Sequence, residues 1–196
     1  MTPAPRALHI VLNSVVEDSR VLKCAWSLSN AGWDVLVIGA TATSSNDQFQ
    51  IGHAIIKRVG LKPVVTQDLT AKLLRRLRYY KRRAEARFLP AREPGIPNYG
   101  RAVKVATPIA LDFKPDVIHA HDYTALPIAG ALVKALAAKG HKAALVYDAH
   151  EYVPGVAHLN KPLASLYTIQ EKKYAAASQA ILSVSDGMNE LLMPHL

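Results

Sequence analysis

The chain has 196 residues, 50% of them apolar and 20% charged, which suits one folded domain, or one large domain with an excursion, and a core big enough to need no covalent staples. Its net charge of +9 is concentrated: residues 72–87 hold eight basic side chains and one acid, so the basicity needs a local explanation. A single cysteine excludes an internal disulfide framework and points to a reducing, cytoplasmic compartment; no signal peptide is apparent, and no stretch approaches the roughly 20 apolar residues of a membrane span.

In chain order, Leu8 to Leu12 is a continuous apolar run ending at Asn13, the pattern of a strand buried on both faces. Asp18 can cap a helix from about Ser19 to Ala31, whose apolar positions Val21, Leu22, Ala25, Trp26 and Leu28 recur at helical spacing and which Gly32 ends. Cys24 lies on that helix and reads as a packing residue ahead of a reactive thiol. Val35 to Ile38 is a second buried strand, giving β-α-β with a right-handed crossover. Ala54 to Val59 is a third strand, interrupted by Lys57 and Arg58. Asp68 opens a long basic helix that ends before Pro90, residues 91–97 form a loop, and a helix follows from Asn98 to Phe113. Val117 to His121, Ala144 to Asp148 and Ala180 to Val184 are then strands, alternating with helices at Leu126 to Ala138 and near Pro162 to Ala177. Ser185 or Asp186 caps a short last helix ending near Met193. This alternation predicts an α/β fold: a Rossmann-like, doubly wound parallel sheet in three layers with strand order 3-2-1-4-5-6. It forms one domain over residues 1–196, with a basic helical excursion at about 66–97.

In such a sheet, ligands bind beyond the carboxyl ends of the strands where the strand order reverses, here between the first and fourth strands. The polar residues gather at those tips. Asn13, Ser14, Glu17, Asp18 and Arg20 follow the first strand; His119, His121, Asp122 and Tyr123 end the fourth; Asp148, His150 and Glu151 end the fifth. His119 and His121 share a strand face. His121, nearer the tip, is expected to be solvent-accessible and to exchange a hydrogen bond with a ligand hydroxyl, whereas the deeper His119 reads first as a core histidine. Asp148 is balanced between capping a turn and touching substrate. Asp18 is a helix cap before anything else. Arg20 is a cation in a first helical turn, a cost that an anionic ligand there would offset.

Four segments together resemble glycosyltransferase family 4 of the GT-B fold: DSRVLKCAWSLSNAGWDVLVIGA (18–40), KPDVIHAHDY (114–123), LVYDAHEY (145–152) and ASQAILSVSDGMNELL (177–192). The resemblance implies the N-terminal, acceptor-binding domain of a retaining hexosyltransferase. Such an enzyme needs no cofactor or obligatory metal. It takes a nucleotide sugar as donor, held mainly by a C-terminal domain, and a glycan or lipid-linked acceptor. Nothing here matches the family's C-terminal acidic donor motif, so the donor domain is expected outside this chain, and the fragment alone is expected not to turn over. His121 matches the histidine that commonly lies beside the transferred sugar and is the expected catalytic residue. Asn13, Ser14, Asp18, Arg20, His119, Asp122, Tyr123, His150 and Glu151 are the expected substrate contacts. Many relatives carry a glycine pair after the first strand; here that loop is Asn13-Ser14-Val15-Val16-Glu17, without one.

The basic helix carries an apolar stripe, Leu73, Leu77, Tyr80, Ala84 and Phe88, beside Lys72, Arg75, Arg76, Arg78, Lys81, Arg82, Arg83 and Arg87. That pattern fits an anionic acceptor or peripheral attachment to the inner face of an anionic membrane. It fits equally a solvated face whose stripe packs on the domain. No recognisable nucleic-acid module surrounds it, so nucleic acid is not an expected partner. Two further functions stay open. One is a metal-dependent hydrolase using His119, His121, Asp148 and His150, although their spacing matches no recognised zinc motif. The other is a non-catalytic module binding an anionic lipid or glycan.

Overall fold

The computed structural model describes residues 3–41, 46–61, 96, 98–159 and 161–196. The expected basic helix and its patch from Lys72 to Arg87 lie outside the described residues, as does most of the loop that follows. No helix among the described residues is long and apolar enough to cross a membrane.

The elements are β1 (Arg6–Val11), α1 (Ser19–Asn30), β2 (Asp34–Thr41), β3 (Asp47–Ile51), β4 (Ala54–Gly60), α2 (Tyr99–Phe113), β5 (Val117–His121), α3 (Asp122–Ala137), β6 (Ala144–Ala149), a 3-10 turn (Val153–Gly155), α4 (Lys161–Ala175), β7 (Ala180–Ser183) and α5 (Asp186–Leu192). One sheet runs β3-β4-β2-β1-β5-β6-β7. Every pair is parallel except β3 with β4. The six parallel strands stand in the order expected from sequence. β3 is an addition, an antiparallel edge strand on which the sequence placed no element. It has only Phe49 and Ile51 to bury, and both are partly exposed, so its apolar signal is weak. Its register comes from the short turn at Gly52, which has φ 59°, and from a bidentate ion pair between Asp47 and its cross-strand partner Arg58. That pair also explains why a charged residue is tolerated in β4.

β1 alternates its side chains between two cores. Leu8 and Ile10 join Ile118, Ala120, Leu145 and Tyr147 against α2, α3 and α4. Ala7 and Val11 join Val35 and Val37 against Val21 and Ala25 of α1. Helices therefore cover both faces, as the continuous apolar strands required. On β5 and β6, the residues that alternate with the first core are His119, His121 and Asp148, and on β1 it is His9. The face beneath α1 thus carries a polar cluster where β1, β5 and β6 end.

Candidate functional site

β1 and β5 lie side by side in parallel, with His9 registered opposite His119 and Ile10 opposite Ala120. β6 follows, with His121 opposite Asp148. The carboxyl ends of all three strands therefore open on the same edge of the sheet.

After β1, the loop is built from its own side chains. Asn13 Oδ1 accepts from the Val15 N–H at 2.8 Å, and Asn13 Nδ2 donates to Asp18 Oδ2 at 2.8 Å. Asp18 caps α1, its other oxygen accepting from the Val21 N–H at 3.3 Å. Burial alone would raise the Asp18 carboxyl, but the Asn13 side chain and the Val21 N–H together hold it below the usual carboxylate range. Val15 is fully buried at φ 67°, a left-handed conformation that is strained for a β-branched residue. Gly39 makes room for it: a Cβ there would stand 2.4 Å from Val15 Cγ2 and 3.0 Å from the Asn13 carbonyl oxygen. Asn13, Ser14, Glu17, Asp18, Ser19 and Arg20 line an open cleft of about 320 Å³ at the N-terminus of α1. Arg20 is exposed, with Nε 3.8 Å from Asp18 Oδ1, so its charge already has a partial partner.

At the ends of β5 and β6, Asp148 sits amid histidines. Its Oδ2 is 3.1 Å from His121 Nδ1, 2.7 Å from His150 Nε2 and 3.9 Å from His119 Nε2. The His121 contact is a hydrogen bond; the His150 contact lacks the alignment of one. Burial would raise the Asp148 carboxyl, but His121 and His150 outweigh it and hold it well below the usual carboxylate range. On its far side, His121 Nε2 shares a 2.8 Å hydrogen bond with His9 Nδ1. Burial, with the neighbouring histidines, pushes His9 well below the ordinary imidazole value and His119 down to about 3. Cys24 Sγ, from α1, lies 3.8 Å from His119 Nδ1. Burial raises its thiol, so it is not activated as a nucleophile.

The expected exposure of the two histidines is reversed. His121 is 1% exposed and His119 6%. The reason is that α3 starts at Asp122, one turn earlier than Leu126, so His121 is the residue before its first turn and both its ring nitrogens are engaged. Asp148 is not a turn cap; its 18% exposed side chain is the opening of the cluster. Asp122 follows at φ 76°, its Oδ1 accepting from the Tyr123 N–H, and burial raises its carboxyl to about 6. Tyr123 is buried and packs edge-on against Tyr167 at 4.8 Å, beside Val153 and Ile96. His150 is 9% exposed, and Glu151 is exposed. His9 is the residue that the sequence reading missed. Its signal was a histidine inside an otherwise apolar strand. Among the described residues, two sets of donor atoms lie within 4.8 Å of one another: His9, Cys24 and His119; and His119, His121 and Asp148.

Comparison with known proteins bears on the fold. No curated protein matches the sequence significantly. The sucrose-phosphate synthase of Thermosynechococcus elongatus superposes with a TM-score of 0.68 at 11% identity, over 97% of this chain and 45% of that one. The alpha,alpha-trehalose 6-phosphate synthase of Burkholderia multivorans gives 0.52 at 15% identity, over 99% and 42%. The UDP-GlcNAc 2-epimerase of Methanocaldococcus jannaschii gives 0.51 at 11%, over 97% and 43%. At such identities the likeness is one of fold, and this chain spans less than half of each of these proteins. The model of the glycosyl transferase 4-like domain matches residues 19–194. With its Rossmann-like sheet of the GT-B type and that match over nearly its whole length, the chain belongs to the glycosyl transferase 4-like domain family.

Proposed function

We propose that this domain is the acceptor-side half of a retaining GT-B glycosyltransferase, which moves a sugar from a nucleotide-sugar donor to a glycan or lipid-linked acceptor. The observation that carries the reading is the gathering of polar side chains at one strand edge, the α1 cleft together with Asp148 and its histidines. Val15 after β1 and Asp122 after β5, two of the four non-glycine residues with positive φ among those described, stand at that edge. Such conformations gather where a fold holds groups for a ligand. At that edge are also the cleft lined by Asn13, Ser14, Asp18 and Arg20 and the partly exposed Asp148 with His150 beside it. In this reading the cleft takes the donor diphosphate or an acceptor anion, with Arg20 as its cation. Glu151 and the carboxylates of Asp122 and Asp148 face sugar hydroxyls, as hydrogen-bond acceptors. His121 acts one layer back, fixed by His9 and fixing Asp148, so it is a positioning residue for the group that meets the sugar. No cofactor enters the transfer, and the donor is held mainly by a second domain outside this chain. The basic segment from Lys72 to Arg87 is the proposed contact with an anionic acceptor or the inner membrane face.

The test is a transfer assay on a longer chain that joins this domain to a donor-binding half. Offered a panel of nucleotide sugars, it should release nucleoside diphosphate in step with acceptor glycosylation. Proton NMR should find the donor's anomeric configuration kept in the product. The 196-residue chain alone should be inert. Turnover by the isolated domain, or an inverted product, contradicts the proposal.

A further inference from the structure

We infer that the flank of the histidine cluster facing α1 binds one divalent transition-metal ion of borderline softness, zinc(II) by its chemistry, through His9, Cys24 and His119. The inference rests on donor geometry and is independent of the transfer reading. These three residues each offer a donor atom within 4.8 Å of the other two. In a tetrahedral zinc site, with Zn–N of about 2.0–2.1 Å and Zn–S of about 2.3 Å, nitrogen and sulfur ligands stand about 3.5 Å apart. Cys24 Sγ and His119 Nδ1 are 3.8 Å apart. Two imidazoles and a thiolate are a donor set that suits zinc ahead of magnesium or calcium, which take oxygen.

The hydrogen bonds also leave the right atoms free. Asp148 can only accept from His121 Nδ1, so in a neutral His121 the Nε2 atom accepts and His9 Nδ1 must donate. His9 Nε2 is then a bare lone pair. It is buried with no hydrogen-bond partner, while on His119 the nitrogen beside Cys24 is Nδ1, and Nε2 lies 3.9 Å from Asp148 Oδ2. Both residues are more than nine-tenths buried. An unpaired buried nitrogen is costly, and a cation bound at His9 Nε2 removes that cost. The His9–His121–Asp148 chain would serve as the outer support that orients a ligating imidazole. The competing set, His119, His121 and Asp148, is less suited, because a cation there must displace the His121–Asp148 hydrogen bond. Half-buried Cys24 gives the ion a way in from solvent. Binding releases the thiol proton to water and leaves a metal–thiolate bond.

Cobalt(II) titration of the reduced 196-residue chain tests the assignment. Cys24 is the sole cysteine, so a thiolate-to-cobalt charge-transfer band can come from it alone. The expected result is one equivalent of cobalt with that band, displaced by zinc. Cys24→Ser should abolish the band and weaken zinc binding by tenfold or more, a loss at least as large as that for an outer-shell partner. Nitrogen-15 histidine spectra of the unsubstituted chain should show His9 and His119 perturbed by zinc, which needs no buried variant to fold. No uptake overturns the assignment. So does uptake without the band, uptake that survives Cys24→Ser unchanged but is lost in Asp148→Asn, or a zinc-induced change confined to other histidines.

Discussion

Glu171 of α4 is 1% exposed, and the Tyr147 hydroxyl donates to its Oε1 at 2.6 Å. Burial, the larger effect, outweighs that hydrogen bond and raises its carboxyl from 4.5 to about 7. A carboxyl held protonated in the folded chain favours folding at low pH, and that advantage fades as pH rises from about 4.5 through 7. His9 and His119 act in the opposite sense. Their depressed values mean that the unfolded chain gains protons first below about 6.5, so acid removes stability there. The two effects overlap and partly cancel in the intact protein. Glu171→Gln keeps an acceptor for Tyr147 and removes one of them. The melting temperature of that variant, measured against the parent from pH 4.5 to 8, should gain on the parent as pH rises to 7 and then level off. A difference that stays constant across the range would show that Glu171 does not titrate in the fold. The histidine cluster was only half legible at this scale. His119, His121, Asp148 and His150 stood out as polar residues at strand ends. His9 did not, because its importance arises from the β1–β5 register and not from its neighbours in sequence.

α1 is the element whose start does most to shape the cleft. Its cap, Asp18, holds both the helix N-terminus and the Asn13 side chain, so one carboxylate ties the β1 tip to the helix. Asp18→Ala should cost about 1 kcal/mol, the usual size for a lost N-cap. Thermal melting reads that loss, and faster amide hydrogen exchange from Asn13 to Val21 should accompany it. Exchange unchanged in that stretch would mean that the loop is held by other contacts. Helix boundaries came out of the sequence well wherever a cap or stop is chemically explicit, as at Asp18, Gly32 and Ser185. They failed at α3, whose first turn rests on Asp122 in a left-handed conformation that no local pattern announces. That one-turn error is what misplaced His121, since a helix starting at Asp122 closes over the strand tip. β3 escaped for a different reason: it is an edge strand with little apolar surface, pinned by a turn and an ion pair.

Across the whole molecule, the alternation of strands and helices pointed to a doubly wound sheet, and the usual strand order of that fold is the one observed for the six parallel strands. That order sets β1 beside β5 and so decides where a crevice can exist. The cleft at α1, the Asp148 cluster, Val15 and Asp122 all lie at that edge. What the sequence could not convey is that the edge has two depths. The cleft residues from Asn13 to Arg20 face solvent, while the histidines stand behind it, with Asp148 as the link. His121 is the test of whether those depths work together. In the transfer-competent protein, His121→Ala leaves Asp148 and His9 each short of a buried partner, a loss of about 1–3 kcal/mol. If His121 positions the sugar-facing groups, turnover at saturating substrate should fall by about tenfold to a hundredfold in a variant that still melts cooperatively. A folded His121→Ala protein that transfers sugar at the parent rate would contradict the placement of the active site at these strand tips.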